Sequence, residues 1–515
     1  MNRRVPDCSA NPLVREIGKD PADFTRQDIL AFIRRRGIRT LHFRYPALDG
    51  KLKELKLPVN DLRDAEAVLA EGERVDGSSL FKGMVDAGRS DMYVLPLYRS
   101  AFLNPFAPDG LEFVCRFLDA RGEPAAQTPD NVLARADETF RKRTGRELHA
   151  LGELEFYVLH PAERELYPGR PQGAYHEAAP YSRWDALAAE ALRLTSEICG
   201  GVKYCHAEVG HVEPSEDSLP RLRGMSMSQY ELEFLPAPLD ATAGRLLVAK
   251  WIIRSLAARQ GLLVSFAPKL SMGDAGSGLH FHLSLLRGGR NALIDRRGTL
   301  TEDARALIGG LLAHAGSLTA FGNTCAASYL RLVPHQEAPV RVCWSSANRS
   351  ALVRVPLAWR GVNNLASRVN PRQMRDYRGE MFGQTVELRS PDGSADVHLL
   401  LAGISCAVRE GLTDRRASLE RARAGEVAGN IYADPKMLRR LETLPGSCAE
   451  SARRLERDRA VYARDDVFPA PVLDYCIRRL QGEDDAALSR KLGRMSKGAK
   501  RAALDRIVSD SLHCM

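Results

Sequence analysis

Four strand-like segments each carry two ionisable side chains that are two residues apart. Because side chains alternate across a strand, the two members of each pair face the same way. The pairs are Glu153 and Glu155 in GELEFYVLH, Glu231 and Glu233 in YELEF, His280 and His282 in LHFHLS, and Glu387 and Arg389 in VELRS. One such pair is typical of a solvent-facing strand, but four in one region favour faces that share a cavity. That cavity would offer carboxylates and an imidazole, which suit Mg²⁺ or Mn²⁺ rather than a metal that prefers thiolates.

A concentration of arginines follows on apolar, strand-like segments. Its members are Arg331, Arg341, Arg349, Arg354 and Arg389. An unpaired guanidinium in apolar surroundings is costly, so each of these side chains needs an anionic partner. Salt bridges with nearby glutamates are one interpretation, and a polyphosphate bound together with metal ions is the other.

The glycine-rich segment GDAGSG, residues 273–278, runs directly into the strand that carries the two histidines. It lacks the GK[ST] ending of a P-loop and precedes a strand rather than a helix. These features exclude the Walker and dinucleotide-binding motifs, so a nucleotide site in this chain requires another architecture.

The elements that must position these residues fall into two regions. Strand-like TLHFRYPAL and helical DLRDAEAVLAEG precede a proline-rich turn at 103–110, which predicts a domain of residues 1–108 and a second domain of residues 109–515. In the second, alternating segments are interleaved with helical patterns such as TAGRLLVAKWIIRSLAARQG, which predict an α+β domain around one large sheet. We expect an irregular loop over residues 209–228.

The composition of the 515-residue chain, 44% hydrophobic and 27% charged, is that of a globular protein. No uncharged apolar stretch is long enough for a transmembrane helix, and the N-terminus lacks the apolar core of a signal peptide, so we expect a cytoplasmic protein without a membrane partner. The ten cysteines include no CxxC pair, which argues against a zinc ribbon or a disulfide framework.

The net charge of +9 raises the question of nucleic-acid binding. Much of the excess lies in the tail SRKLGRMSKGAKRAALDR, residues 489–506. A charged helix of this kind is more often a solvated or subunit-docking surface, so we predict no nucleic-acid partner.

Seven motifs, in order along most of the chain, resemble those of the glutamine synthetase family, in particular its class I-like bacterial members. They are VDGSSL with SDM after it, GELEFYV, HAEVG with SQYELEF, FAPKLSMGDAGSGLHFHLS, ASYLRLVPHQEAPVRVCWSSANRSALVRVP, VELRSPDGSAD and NIYADP. The resemblance implies a small N-terminal β-grasp domain and a large catalytic α/β domain with a curved antiparallel sheet. It also implies a ring-shaped homo-oligomer, a hexamer or a dodecamer, with active sites between neighbouring subunits.

The resemblance implies an ATP-dependent ligase that forms glutamine from glutamate and ammonia through a γ-glutamyl phosphate, with two Mg²⁺ or Mn²⁺ ions. One ion would be held by Glu155, Glu208 and Glu231, and the other by Glu153, His280 and Glu387. The catalytic residues would be Asp76, contributed by the neighbouring subunit, the flap residue Glu337, and Arg349. Glutamate would contact Gly276, Arg331 and Arg389, and ATP would contact His282, Ser284, Arg349 and Arg354.

Two departures from the family pattern leave alternatives open. Ala275 stands where the family usually carries an asparagine that positions glutamate, so a polyamine or another amine as acceptor is a second candidate function. A non-catalytic, regulatory relative is a third, although it gives no reason to keep mutually repelling carboxylates together. The segment between Glu208 and Glu231 is unusually long, which leaves Glu213 and Glu216 as competitors for the role of Glu208.

Tyr432, in NIYADP, aligns with a tyrosine that some bacterial members carry as an adenylylation site. The residues around it differ from the usual pattern, which favours a packed or exposed loop tyrosine instead.

Overall fold

The computed structural model describes residues 9–48, 50–163, 166–215, 218–333, 338–357, 365–373 and 383–513. Two sheets organise these residues, and the helices pack around them.

The N-terminal sheet has the strand order β2-β1-β6-β4-β3, with β5 beside β6. Its strands are β1 (Thr40–Pro46), β2 (Leu52–Pro58), β3 (Glu73–Asp76), β4 (Asp91–Pro96), β5 (Phe102–Leu103) and β6 (Gly110–Leu118), and its helices are α1 (Pro12–Ile17), α2 (Arg26–Arg36), α3 (Leu62–Glu71) and α4 (Gly77–Leu80). β1 and β6 are parallel, and the other pairs are antiparallel. Phe43, Phe113 and Phe117 fill the core beneath the sheet.

β6 begins just after the predicted boundary at residue 108 and pairs with β1 and β4 of the N-terminal sheet. The strand pairing therefore changes from the first sheet to the second after Leu118. The division of the chain into two domains stays a prediction.

The second sheet has the order β14-β15-β16-β12-β7-β9-β8, in which β14 and β15 are parallel and the remaining pairs antiparallel. Its strands are β7 (Glu147–Pro161), β8 (Val202–Val212), β9 (Met225–Phe234), β10 (Ala237–Pro238), β11 (Leu263–Ser265), β12 (Leu279–Arg287), β13 (Arg290–Asn291), β14 (Trp344–Ser346), β15 (Val353–Val355) and β16 (Val386–Leu388). β10 and β11 pair with the long strand β7, and β13 pairs with β12.

Helices pack around this sheet. They are α5 (Pro129–Thr144), α6 (Asp185–Cys199), α7 (Leu239–Arg259), α8 (Glu302–Gly322), α9 (Ala326–Arg331), α10 (Ala366–Val369), α11 (Val397–Thr413), α12 (Arg415–Ala424), α13 (Pro435–Arg440), α14 (Cys448–Arg457), α15 (Arg459–Ala463), α16 (Ala470–Gly482), α17 (Leu488–Arg494) and α18 (Lys497–Leu512). Short 3₁₀ turns lie at Pro21–Asp23, Ala87–Arg89, Tyr98–Ser100, Pro220–Leu222, Ile431–Ala433 and Arg464–Asp466.

The apolar residues of the alternating strands account for this packing. Leu154, Phe281 and Leu388 are fully buried in the main core, which includes α7, α8 and α11. Because side chains alternate, the ionisable residues next to them in sequence point to the opposite face. The apolar positions thereby anchor the sheet, and the polar positions are left to line a site.

The predicted α+β architecture around one large, mainly antiparallel sheet is confirmed. The loop expected over 209–228 is only partly correct, because β8 continues to Val212 and β9 already begins at Met225. Among the described helices, none has the length and apolar character needed to cross a membrane.

Candidate active site

Strand register brings the carboxylates of β7 and β9 next to the histidines of β12. Glu153 lies opposite His280 on one side and opposite Glu233 on the other. Glu155 lies opposite Glu231. The paired residues sit on the same face of the sheet, so ionisable groups far apart in sequence form one continuous polar surface.

The polar surface continues across the outer strands of the sheet. His282 lies opposite Glu387 of β16, and Glu387 lies opposite Arg354 of β15. On the other side, His206 of β8 lies opposite Glu231. Ionisable side chains from six strands thus share one face.

A cavity of about 240 Å³ opens over this face. Its lining comprises Glu153, Glu155, Tyr175, Tyr204, His206, Glu208, Glu231, Gly276, His280, Arg331, Arg349, Arg354, Glu387 and Arg389. The lining includes the six side chains predicted as metal ligands, and also Gly276 and the four arginines predicted to contact substrates. Their roles stay predictions, but the structure brings the groups together.

The remaining predicted site residues lie elsewhere. His282 does not line the cavity, but its Nε2 is 2.8 Å from Glu153 Oε1. Ser284 lies further along β12 beside Asn291. Asp76 caps α4 of the N-terminal domain and accepts hydrogen bonds from Ser78 and Ser79. Glu337 is outside the described residues.

Two imidazoles contact the carboxylate of Glu153. His280 Nδ1 lies 3.0 Å from Glu153 Oε2, and His282 contacts the other carboxylate oxygen. Burial alone would raise the pKa of Glu153, but the two histidines outweigh it and hold that pKa well below its usual range. Burial alone would likewise lower the pKa of His282, yet Glu153 raises it to about 9.

Glu231 has the opposite environment. Burial raises the pKa of Glu231, and the negative charges of Glu153, Glu155, Glu208 and Glu233 raise it further. Its imidazole neighbour, His206, is 3.2 Å away, but burial lowers the pKa of that histidine. Carboxylates crowded in this way favour the binding of a cation, and their oxygens are the donors that Mg²⁺ and Mn²⁺ prefer.

Three groups of side chains in this region present donor atoms that lie within 4.8 Å of one another. They are Glu153 with Glu231 and His280, Glu153 with His282 and Glu387, and His206 with Glu208 and Glu231. The predicted ligand sets include neither His206 nor His282. A signal for His206 was present in the sequence, because it lies two residues from Glu208, the same spacing that singled out the other pairs.

The structure distinguishes Glu208 from Glu213, two candidates for one ligand position. Glu208 lines the cavity, whereas Glu213 accepts hydrogen bonds from His211, at 2.8 Å, and from Ser226, at 3.0 Å. A β-bulge separates the two, since the register of β8 against β9 shifts between Ala207 and His211. Glu216, the other competitor, is outside the described residues.

The arginines divide into two kinds. Arg354 and Arg389 donate to the two oxygens of Glu387, at 2.7 and 3.0 Å, as the salt-bridge interpretation predicts. Arg331, only 3% exposed, instead donates to the Ser390 carbonyl at 2.9 Å and lies 3.3 Å from His280 Nε2. Burial lowers the pKa of Arg331. A buried guanidinium held by a carbonyl and an imidazole keeps its positive charge available to an anionic ligand.

Arg341 lies away from this group. Its guanidinium donates to Thr443 Oγ1 at 2.6 Å and to the Leu441 carbonyl at 3.2 Å. Only four of the five arginines noted in the sequence therefore line the cavity.

Gly276 of the glycine loop, residues 273–278, lines the cavity, and the loop approaches Arg331 closely. A side chain on Gly276 would meet the Pro268 carbonyl oxygen at 2.3 Å, and one on Gly278 would meet His280 Nε2 at 2.6 Å. Gln229 Nε2 donates to the Gly276 carbonyl at 3.0 Å and to Glu155 at 3.1 Å. The loop is thus tied to a carboxylate of the site, and its glycines permit the close contact.

An aromatic group at the cavity was not predicted from the sequence. Tyr175 stacks on His176 with ring centroids 4.2 Å apart, and His206 lies 4.2 Å from His176. Tyr204 lies 5.5 Å from His206. Tyr175 precedes α6 in an irregular segment, where no alternation of polar and apolar residues marks its direction.

Tyr432, the aligned tyrosine, is half-buried and packs beside an apolar cluster that includes Ile431 and Leu441. This environment agrees with the packed-loop interpretation.

Comparison with known families gives two matches. The beta-Grasp domain of glutamine synthetase matches residues 37–120, and the catalytic domain of glutamine synthetase matches residues 126–487. The glutamine synthetase of Thermotoga maritima is 29% identical over 448 residues, which cover 84% of this chain and 90% of that protein. The glutamine synthetase of Aquifex aeolicus is 26% identical over 487 residues, which cover 90% and 96%.

Solved structures share the fold. A complex of GmaS with ADP superposes with a TM-score of 0.70 and 22% identity, covering 92% of this chain and 99% of that one. Plasmodium falciparum glutamine synthetase, determined by cryo-electron microscopy, superposes with a TM-score of 0.70 and 18% identity, covering 90% and 97%.

Proposed function

The chain belongs to the glutamine synthetase family and is an ATP-dependent ligase, and from this premise we propose that it joins ammonia to the γ-carboxylate of glutamate. The observation that carries the proposal is the meeting of five carboxylates, His280 and four arginines in one cavity. The carboxylate of glutamate would attack the γ-phosphorus of ATP, ADP would leave, and ammonia would then displace phosphate from the γ-glutamyl phosphate.

Two divalent cations, Mg²⁺ or Mn²⁺, fit the donor groups of this cavity. We assign one to Glu155, Glu208 and Glu231, and the other to Glu153, His280 and Glu387. The crowding of negative charge that raises the pKa of Glu231 supports the assignment, because a bound cation would relieve it. When bound, such ions supply positive charge to phosphoryl oxygens.

The arginines bind the anionic substrates in this proposal. Arg331 and Arg389 hold the carboxylate of glutamate and the transferred phosphoryl oxygens, and Arg349 and Arg354 hold the phosphates of ATP. Guanidinium groups suit this task because they present several donors in a plane and stay charged. His282 and Ser284 complete the nucleotide side, and Gly276 lets the amino-acid substrate lie against the backbone.

Deprotonation of the incoming ammonium requires groups from outside the described cavity. We propose that Glu337 closes over the acyl phosphate, excludes water and takes a proton from the amine. Asp76, which is exposed and does not line the cavity of its own subunit, would bind ammonium in the cavity of a neighbouring subunit. The proposal therefore includes a ring-shaped homo-oligomer, a hexamer or a dodecamer.

A second candidate is ligation of glutamate to an organic amine. Ala275 places a methyl group where the family usually carries an asparagine, and its backbone is held by Tyr157, whose hydroxyl donates to the Ala275 carbonyl at 2.9 Å. The tyrosines Tyr175 and Tyr204, 44% and 41% exposed, line the cavity and offer apolar surface to a larger amine.

The decisive experiment measures ADP release and amide formation by the purified protein with ATP, Mg²⁺ or Mn²⁺, and glutamate. Ammonia, methylamine and a polyamine are compared as acceptors. Preference for ammonia supports the proposal, and preference for an organic amine supports the second candidate. Release of no ADP with any acceptor would contradict both.

Two glutamates of β8 and the connection after it provide a matched pair of variants. Glu208→Gln removes a proposed ligand and should abolish most activity, whereas Glu213→Gln changes a carboxylate already bonded to His211 and Ser226 and should retain it. Equal activities of the two variants would refute the assignment of Glu208.

A further inference from the structure

The C-terminal helix α18 lies beyond residue 487, where the match to the family's catalytic domain ends. Its residues Leu504, Val508 and Leu512 are at most 6% exposed and belong to an apolar cluster that is separate from the main core. The buried members of this cluster, here called the C-terminal cluster, are Tyr157, Leu159, Leu219, Leu222, Met227, Ala267, Leu270, Leu492, Leu504, Val508 and Leu512. A helix with such a buried face is docked rather than merely solvated.

The C-terminal cluster touches the glycine loop from behind. Ala267 and Leu270 lie in the segment that leads into the loop, and the Pro268 carbonyl between them accepts a hydrogen bond from Ser277 N at 3.1 Å. Tyr157, 1% exposed, reaches from β7 through the cluster and donates its hydroxyl hydrogen to the Ala275 carbonyl at 2.9 Å. The position of residues 273–278 is therefore set by side chains that pack against α18.

The same cluster supports Arg331. α18 contacts α9, whose last residue is Arg331, and Leu330 packs against the C-terminal cluster. Arg331 Cγ is also the second neighbour that a side chain on Gly276 would meet, at 3.0 Å. The loop and the arginine that form one end of the cavity thus share a single apolar support.

Polar contacts hold α18 at its end and in its first and middle turns. Near its end, the Leu512 carbonyl accepts a hydrogen bond from Ser265 Oγ at 2.8 Å, which ties it to β11. Nearer its start, Asp505 accepts from the backbone N–H of Arg221 at 3.0 Å, and Arg501 donates to the Ser218 carbonyl. The helix is thereby joined to the β8–β9 connection, the segment that is unusually long in this chain.

We infer that α18 is a positioning element for the glutamate side of the cavity, acting through the glycine loop and α9. This assignment of one side to glutamate rests on the proposed function. A glycine-rich loop has few side chains of its own to fix its position, so the surface behind it determines how well it is placed. Loosening α18 should therefore weaken glutamate binding and leave ATP binding largely unchanged.

A matched pair of variants on one helix tests the inference. Val508→Asp buries a carboxylate in the C-terminal cluster and should undock α18. Ala502→Asp introduces the same group at an exposed position of the same helix, and Val508→Ile keeps the apolar contact. We expect Val508→Asp to raise KM for glutamate about tenfold, the effect of weakening one well-placed hydrogen bond, with KM for ATP unchanged. Both control variants should behave as the unmodified protein.

Hydrogen exchange separates this inference from the proposed function, because it requires no turnover. In full-length Val508→Asp, residues 266–278 and 326–331 should exchange faster than in Ala502→Asp, while β7 and β12 keep their protection. If the unmodified protein makes no glutamine, the proposed function is refuted. Faster exchange of the two segments in Val508→Asp would still uphold the positioning role of α18. Unchanged exchange in these two segments, or equal rises of KM for glutamate and ATP, would overturn the inference.

A second variant covers the case in which Val508→Asp unfolds the whole protein. Tyr157→Phe removes only the hydroxyl that holds Ala275 and keeps the ring in the C-terminal cluster. Tyr157→Phe should speed hydrogen exchange in residues 273–278 and raise KM for glutamate, without changing the melting temperature of the protein. Exchange equal to that of the unmodified protein would overturn the coupling between the cluster and the loop.

Discussion

Substitution of Gly276 by alanine is the most direct test of how the glycine loop shapes the site. The added methyl group would lie 2.3 Å from the Pro268 carbonyl oxygen and 3.0 Å from Arg331 Cγ. Ordinary contact begins at 3.4 Å, and the first of these neighbours is backbone, which cannot rotate away. The loop, the Pro268 carbonyl or both must therefore move by about 1 Å, and Arg331 must move with them.

The expected loss follows from that displacement. Misplacement of a substrate-binding group by about 1 Å costs about 100-fold in rate, equivalent to about 2.7 kcal/mol. Because the displaced groups face glutamate in the proposed function, the loss should fall on kcat/KM for glutamate, with KM for ATP within about twofold of the unmodified value.

Steady-state ADP release at varied glutamate and at varied ATP measures both quantities. Gly244→Ala is a suitable control, since it adds the same methyl group inside α7, where it meets nothing within 4 Å. Full activity of Gly276→Ala, together with an unchanged melting temperature, would refute the view that this loop contacts the substrate. An equal loss for both substrates would show instead that the substitution disturbs the whole sheet.

Three further predictions address charge. Arg331→Lys should lower kcat/KM for glutamate at least tenfold, because a lysine cannot reproduce the contacts with Ser390 and His280; equal kinetics would contradict this. Glu208→Gln should weaken Mn²⁺ binding, measured by titration in the absence of ATP, whereas Glu213→Gln should not. Burial alone would lower the pKa of His314, but Asp458 and Glu410 raise that pKa in the folded protein. The protonated His314 should therefore stabilise the fold fully below pH about 6.5, the pKa of an unfolded histidine. This stabilisation should be lost as the pH rises through the higher folded pKa. His314→Gln should accordingly show a smaller decline in urea-unfolding free energy between pH 6 and pH 9, and an unchanged slope would refute this.

Alternation along the strands is what made the cavity predictable. Glu153, Glu155, Glu231 and His280 could be assigned to common faces because a strand has a period of two residues, and the structure places them in one cavity. Strand register was not available from the sequence. It depends on side chains packed on the other face of the sheet, and it decides that His282 lies opposite Glu387 while Arg341 lies beside Thr443.

Irregular segments account for the features that were missed. Tyr175 lies between β7 and α6 without a periodic pattern, and the bulge after Ala207 interrupts the alternation near Glu208. The amphipathic character of α18 is weak in the sequence, because Ala502 and Ile507 place apolar residues off the row formed by Leu504, Val508 and Leu512. The docking of α18 could not be predicted from the sequence, because it depends on the surface that the helix covers, which includes Ala267 and Leu270.

The negative charges of the cavity's carboxylates are compensated unequally by neighbouring side chains. Glu153 faces two imidazoles and Glu387 faces two guanidinium groups, so this side carries much of its own compensating charge. Around Glu231, four further carboxylates raise its pKa, and burial lowers the pKa of its neighbour His206. Since an uncompensated negative charge in a buried site is costly, the Glu231 side has more to gain from a bound cation than the Glu387 side. Of the two proposed cation sites, the one at Glu155, Glu208 and Glu231 should therefore bind its ion more tightly. At the other site, the guanidinium groups of Arg354 and Arg389 must release Glu387 before its carboxylate can act as a ligand.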